Sequence, residues 1–217
     1  MSLDFNRAPD RRRFYLERGL RKRPLGSGSD LEGLMSLPRK SLSVDPAELF
    51  KDIQAVVIGG VATRSYAPER STEDLDLLIE HRRFGEASQR IRQAGYEKIR
   101  DLDFPNASLG LYGEAWSKAG LKVDMVATAQ RWGRLALKNP QLDTTGLPIV
   151  RLPFLVLMKF DSARAIDQGD LSRMLGRLND EECEALIREV AKHSNDPSFA
   201  DDVRQYAQLG RWEWETP

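Results

Sequence analysis

The chain has 217 residues with 33 basic and 33 acidic side chains, a formal charge of zero, which suits one sizeable domain or a domain with a small appendage. Its one cysteine, Cys183, excludes an internal disulfide, and with only His81 and His193 beside it there is no all-Cys/His zinc site and little basis for histidine-driven hydrolysis. No run nears the ~18 apolar residues of a membrane span, and the N-terminus is charged, so the sequence reads as a cytoplasmic chain without signal peptide or membrane partner.

Residues 1–45 hold ten basic against six acidic side chains, so the balanced total divides into an arm of +4 and a body of −4. The arm has no sustained period and contains the linker-like Leu25-Gly26-Ser27-Gly28-Ser29-Asp30, which predicts a partly disordered arm. Its stretch 7–23 nets +6 with Phe14 and Tyr15 interleaved; it is either a solvated tail or a contact for nucleic-acid phosphates.

Order begins at Asp45-Pro46, an N-cap followed by a first helical position. Ala55-Val56-Val57-Ile58 is a β-branched run ended by Gly59-Gly60, a buried strand feeding a tight turn. A short helix over 61–66 follows, then a strand over 75–79. Phe84, Ala87 and Ile91 share a face of a helix over 82–94, closed by Gly95. Strands are expected over 96–102, 108–112 and 121–127. From Leu152 the pattern turns helical: Pro153 opens one helix, Asp170 caps a second over 171–178, Asp180 a third over 181–192, and 199–209 is a last amphipathic segment. Strands and helices mix up to about residue 128 and helices alone follow. The division is an arm over 1–45, an α/β core of the α+β type over 46–150, and an all-α part over 151–217.

The chemistry is concentrated in two strands. Asp74 and Asp76 stand at the entrance of an apolar strand, and side chains at i and i+2 share one face. Two carboxylates about 6.6 Å apart along a strand repel each other and lose hydration, a cost that a divalent cation removes. Asp124 interrupts a second apolar strand, with Val123 and Met125 on the opposite face. Three aspartates on two strands of one sheet are what a two-metal phosphoryl-transfer site requires, and Mg²⁺ takes carboxylate oxygens together with substrate phosphates. Gly59-Gly60 allows close approach of backbone N–H groups to phosphate oxygens. Lys159 replaces an apolar residue on its helix, so its charge needs a partner: a triphosphate, an aspartate of the metal cluster, or Asp167 and Asp170. Arg70 and Thr72 either touch phosphate or brace the loop before the aspartates.

An apolar strand, Gly59-Gly60, then Asp74-Leu75-Asp76 and a later strand Asp124 resemble the signature of the polymerase-β-type nucleotidyltransferase superfamily. Arg70-Ser71-Thr72-Glu73 ahead of the pair is closest to the abortive-infection AbiE-type toxins and their minimal relatives. The segment from Met158 through Lys159 to Ala163-Arg164-Ala165-Ile166-Asp167 and Asp170-Leu171 is similar to the lysine helix of that group. The resemblance covers roughly residues 46–178. It implies a mixed sheet flanked by helices and transfer of a nucleoside monophosphate from an NTP, ATP among the candidates, to a hydroxyl, releasing pyrophosphate. Asp74, Asp76 and Asp124 would bind Mg²⁺ (or Mn²⁺), with Asp124 taking the acceptor's proton. Gly59, Gly60, Arg70 and Thr72 would bind nucleotide, and Lys159 would neutralise phosphate charge. It also implies a tRNA or other RNA acceptor, a toxin–antitoxin or phage-defence setting, and a cognate antitoxin or partner protein. The alternatives are an aminoglycoside-like small molecule or a protein side chain as acceptor, or a retired member of the fold that only binds.

Overall fold

The apolar runs marked as strands become the middle of a mixed sheet. The structure, a computed structural model, describes residues 46–67, 72, 74–105, 107–143, 146–162 and 164–215; the basic arm and Arg70 lie outside the described residues. Within them, β1 (Ala55–Ile58), β2 (Asp74–Ile79), β3 (Glu97–Asp103), β4 (Leu111–Lys118), β5 (Leu121–Thr128), β6 (Gln141–Leu142) and β7 (Pro148–Ile149) form one sheet in the order β3-β4-β5-β2-β1-β7-β6. The pairs β2–β5 and β1–β7 are parallel and the other four antiparallel. This is the mixed α/β sheet with flanking helices that the sequence leads one to expect.

The helices among the described residues are α1 (Pro46–Leu49), α2 (Gly59–Arg64), α3 (Phe84–Gln93), α4 (Arg131–Leu137), α5 (Leu152–Ser162), α6 (Ala165–Leu175), α7 (Asp180–Val190) and α8 (Phe199–Glu215). A 3₁₀ turn, His81–Arg83, leads into α3. Phe84, Ala87 and Ile91 are the buried stripe of α3, as their spacing implies. That helix covers one face of the sheet: Ser88 Oγ donates to Glu114 Oε2 at 2.6 Å and the Arg92 guanidinium lies 5.6 Å over the Trp116 ring. Glu114 and Trp116 stand opposite Met125 and Val123, so α3 lies on the face away from Asp124.

Helix α5 is buried almost all round, from Phe154 to Lys159, as a helix inside a core must be. Asp161 ties it to the turn before β4, accepting from Ser108 N and Ser108 Oγ at 2.7 Å each and from Leu109 N at 3.4 Å. The carbonyl of Leu109 in turn accepts from the buried Thr128 Oγ1 and Trp132 Nε1, both at 3.0 Å. Helices α6 and α8 pack closely where Gly176 meets Gly210.

Several expectations need correction. The strand expected over 108–112 begins at Leu111 and runs to Lys118. Helices do not stand alone after residue 128: β6 and β7 return to the sheet, and Val150 N donates to Val57 O at 2.9 Å. Asp170 lies inside α6 rather than capping it. Asn179, not Asp180, caps α7, in a reciprocal box with Glu182 at 2.9 Å in both directions. No helix among the described residues is long and apolar enough to cross a membrane.

Candidate active site

The parallel pairing of β2 with β5 sets Asp76 directly opposite Asp124, and Asp74 opposite Lys122. The three aspartates therefore share one face of two adjacent strands, while Leu75, Leu77, Val123 and Met125 are buried on the other. In the neighbouring antiparallel pairs Ile58 faces Asp76 across β1, and Ala115 of β4 stands between Asp124 and Arg100 of β3.

Gly59 closes the site from the end of β1. Its backbone has φ +60°, and a Cβ there would lie 1.9 Å from Asp76 Oδ2, so both conformation and space require glycine. A Cβ on Gly60 would come 2.6 Å from Thr72 Cβ, and the Gly60 N–H donates to the Asp76 carboxylate. The donor expected to face a phosphate thus faces an aspartate in this structure. Thr72 Oγ1 donates to Asp74 O at 3.4 Å, a contact that braces the entry to β2.

The electrostatics follow from this crowding. Burial, then the charges of Asp124 and Asp74, push the Asp76 carboxyl up to about 7, against the opposing pull of Arg164 and the Gly60 N–H. Burial and Asp74 likewise raise Asp124, with Arg100 and Lys122 opposing. Asp74 Oδ1 is buried without a hydrogen-bond partner among the described residues. A set of half-buried, mutually repelling oxygen donors, one of them orphaned, fits a hard divalent cation such as Mg²⁺. Among the described residues, no group of three or more His, Cys, Asp or Glu side chains is arranged to hold a metal ion. Mg²⁺ ordinarily takes only one or two carboxylates and completes its shell with water and substrate phosphates.

Lys159 is placed elsewhere in the charge pattern. It is 5% exposed, and its Nζ donates to Asp167 Oδ1 at 2.8 Å and Asp170 Oδ2 at 2.7 Å. Of the partners named for it from the sequence, the structure supplies Asp167 and Asp170. Burial works to raise the Asp167 carboxyl, but hydrogen bonds from Arg164, Lys159 and Ser162 overcome it and hold the group down at about 2. Arg164, for which the sequence predicts no role, bonds Asp167 and acts electrostatically on Asp76. The signal was available as an arginine three residues before an aspartate at a helix start. Cys183 is buried, which raises its thiol pKa, and Asp180 and Glu184 add to the rise while Arg211 opposes it. That removes it further from nucleophilic use.

No family model and no curated protein matches the chain. Among solved structures it is similar to the antibiotic-resistance factor ANT(2'')-Ia. A solution structure of that protein aligns with TM-score 0.40 at 13% identity over 77% of this chain and 86% of the other. A crystal structure of it in complex with adenylyl-2''-tobramycin aligns with TM-score 0.41, also at 13% identity, over 77% and 92%.

Proposed function

We propose that the chain is a metal-dependent nucleotidyltransferase that moves a nucleoside monophosphate from an NTP to a hydroxyl acceptor and releases pyrophosphate. One observation carries the reading: Asp76 and Asp124 stand in register across parallel strands, with Asp74 on the same face and Gly59-Gly60 closing over Asp76. Asp74, Asp76 and Asp124 would hold Mg²⁺ or Mn²⁺, which when bound stabilises charge on the phosphates and acidifies the attacking hydroxyl. Asp124 is half-buried, and burial and the charge of Asp74 raise its carboxyl pKa, which suits it to accept the proton of that hydroxyl. The acceptor oxygen bonds to the α-phosphorus, the bond from that phosphorus to pyrophosphate breaks, and the hydroxyl proton passes to Asp124. Gly59 leaves room for the Asp76 carboxylate and Gly60 for the Thr72 side chain, which holds the approach to β2. Lys159 contributes by fixing Asp167 and Asp170.

The acceptor has two readings, each with its own observation. Arg100 and Lys122 flank Asp124, which favours an anionic acceptor such as a tRNA end. The net −4 of residues 46–217 favours a cationic small molecule of the kind represented by the tobramycin adduct bound to ANT(2'')-Ia. A toxin–antitoxin or phage-defence setting rests on the sequence resemblance alone. The test is incubation of the full chain with each α-labelled NTP and Mg²⁺ or Mn²⁺, with total RNA in one arm and an aminoglycoside panel in the other. Label moving to RNA or to a drug, and lost in Asp76→Asn, supports the reading and selects the acceptor. Label moving to neither, with both metals and all four nucleotides, overturns it.

A further inference from the structure

Arg164 joins the two charged regions. It is the N-cap residue of α6, in extended backbone, and its side chain is 70% exposed. Exposed arginines usually sample many rotamers, but this one is anchored: Nε donates to Asp167 Oδ2 at 2.7 Å and Nη2 to Asp167 Oδ1 at 3.4 Å. The anchor is itself immobile, since Asp167 is 1% exposed and also accepts from Lys159 Nζ and Ser162 Oγ. Lys159 is fixed in turn by Asp170. The result is a chain of alternating charge, Asp170–Lys159–Asp167–Arg164, which starts in the interior and ends at an exposed guanidinium.

Charge balance alone explains one cation beside the two carboxylates and single lysine of this network. It does not explain why that cation is a forked group gripped along one edge, which leaves its other donors for a planar or tetrahedral oxyanion. Nor does it explain the position. Helix α5, which leads into Arg164, packs against α2, the helix that Gly59 and Gly60 open beside Asp76. The lysine that the sequence offered for the phosphates spends its bonds on Asp167 and Asp170, and the network ends in an arginine.

We propose that Arg164 is the polyphosphate-binding residue for the nucleoside triphosphate, and that Asp167 is the positioning residue that presents it, an inference that rests on the nucleotidyltransferase reading above. A guanidinium already held in one orientation loses little freedom when a phosphate docks, so its charge-assisted hydrogen bonds appear largely as affinity.

The test is calorimetric titration of the full chain, with Mg²⁺, by each of the four nucleoside triphosphates and the matching monophosphates. Arg164→Ala is expected to weaken triphosphate binding roughly 10- to 100-fold while changing monophosphate binding about twofold or less. Arg164→Lys keeps the charge but loses the fork, and recovers only part of the affinity. Asp167→Asn raises the KM for the triphosphate, and adding Arg164→Ala in that background costs much less than it does alone, because the two act as one unit. Should Asp167→Asn not fold, Arg164→Ala decides the matter, since its side chain is exposed. Equal triphosphate affinity in wild type and Arg164→Ala, or equal losses for mono- and triphosphate, overturns the proposal while leaving the nucleotidyltransferase reading standing. A wild-type chain that binds no nucleotide overturns both.

Discussion

Two clusters of acid, one half-buried on the sheet and one buried among helices, are solved in opposite ways. On the sheet, Asp74, Asp76 and Asp124 crowd one another, with Arg164, Arg100 and Lys122 opposing among the described residues, and the Asp76 carboxyl is pushed up to about 7. On the helices, Asp167 and Asp170 share Lys159 at 2.7–2.8 Å, and Asp167 is held down at about 2. The helical cluster is internally satisfied, whereas the sheet cluster stores repulsion that only a proton or a cation relieves. Carboxylates left unrelieved in a folded chain mark the place where the chain expects something to bind.

The largest expected effect breaks the sheet cluster. Asp76→Asn should lower nucleotidyl transfer at least about 100-fold, by analogy with other preorganised electrostatic groups, yet stabilise the metal-free fold at pH 8. A variant with near-wild-type transfer would remove Asp76 from the site. Next comes Lys159→Met, which removes the buried cation shared by Asp167 and Asp170 and leaves Asp167 with Arg164, and should cost about 3–5 kcal/mol at pH 7, measured by urea denaturation. A Lys159→Met protein as stable as wild type but unable to bind NTP would instead give Lys159 a direct phosphate role.

The third prediction is the opposed pH response. A carboxyl raised to about 7 binds its proton more readily folded than unfolded, so the Asp76 contribution falls as pH rises from near 4 to 7. The change amounts to about 4 kcal/mol. Asp167 has the reverse sign: its contribution, about 2 kcal/mol, is complete above pH 4 and is lost as pH falls towards 2. Together these two groups favour the metal-free fold most near pH 4–5, and Asp76→Asn should flatten the decline above it. A wild-type stability that keeps rising from pH 4 to 7 would contradict the assignment of Asp76 as an uncompensated acid. The smallest effect lies where α6 meets α8. A Cβ on Gly210 would approach Ser172 O to 2.0 Å, so Gly210→Ala should cost about 1–3 kcal/mol. Transfer per folded molecule should stay intact, since both charge clusters are untouched.

The two clusters also differ in how far the sequence displays them. Asp74, Asp76 and Asp124 stand out because each interrupts an apolar strand, and period-2 alternation assigns their face without a structure. Their register across β2 and β5 is not written locally, because parallel strands nearly 50 residues apart pair through tertiary packing. Asp170 misled as a helix cap for the reverse reason: its side chain is held by Lys159 from another helix, a long-range bond that overrides the local cap signal. Asn179 carries the Asn-x-x-Glu spacing of a capping box, so the cap is legible in the sequence at Asn179 rather than at Asp180. β6 and β7 are two residues each, too short for any periodicity to reveal. The bounds of β4 are hidden because Gly113, Glu114 and Ser117 break its apolar alternation.

The strand order has a consequence for the chain as it is being made. The aspartate strands β2 and β5 pair with each other, and β1 seals their flank, yet β1 gains its partner on the other side only when residues 148–149 arrive. A nascent polypeptide that has reached residue 128 holds all three site aspartates on a sheet with an unpaired edge at β1. It does not yet contain Lys159, Asp161 or the helices they anchor. At about 5–20 residues per second, the remaining 20 residues before β7 leave that edge open for roughly one to four seconds. Ribosome-bound intermediates of about this length are where chaperone dependence and strand-edge aggregation should be greatest.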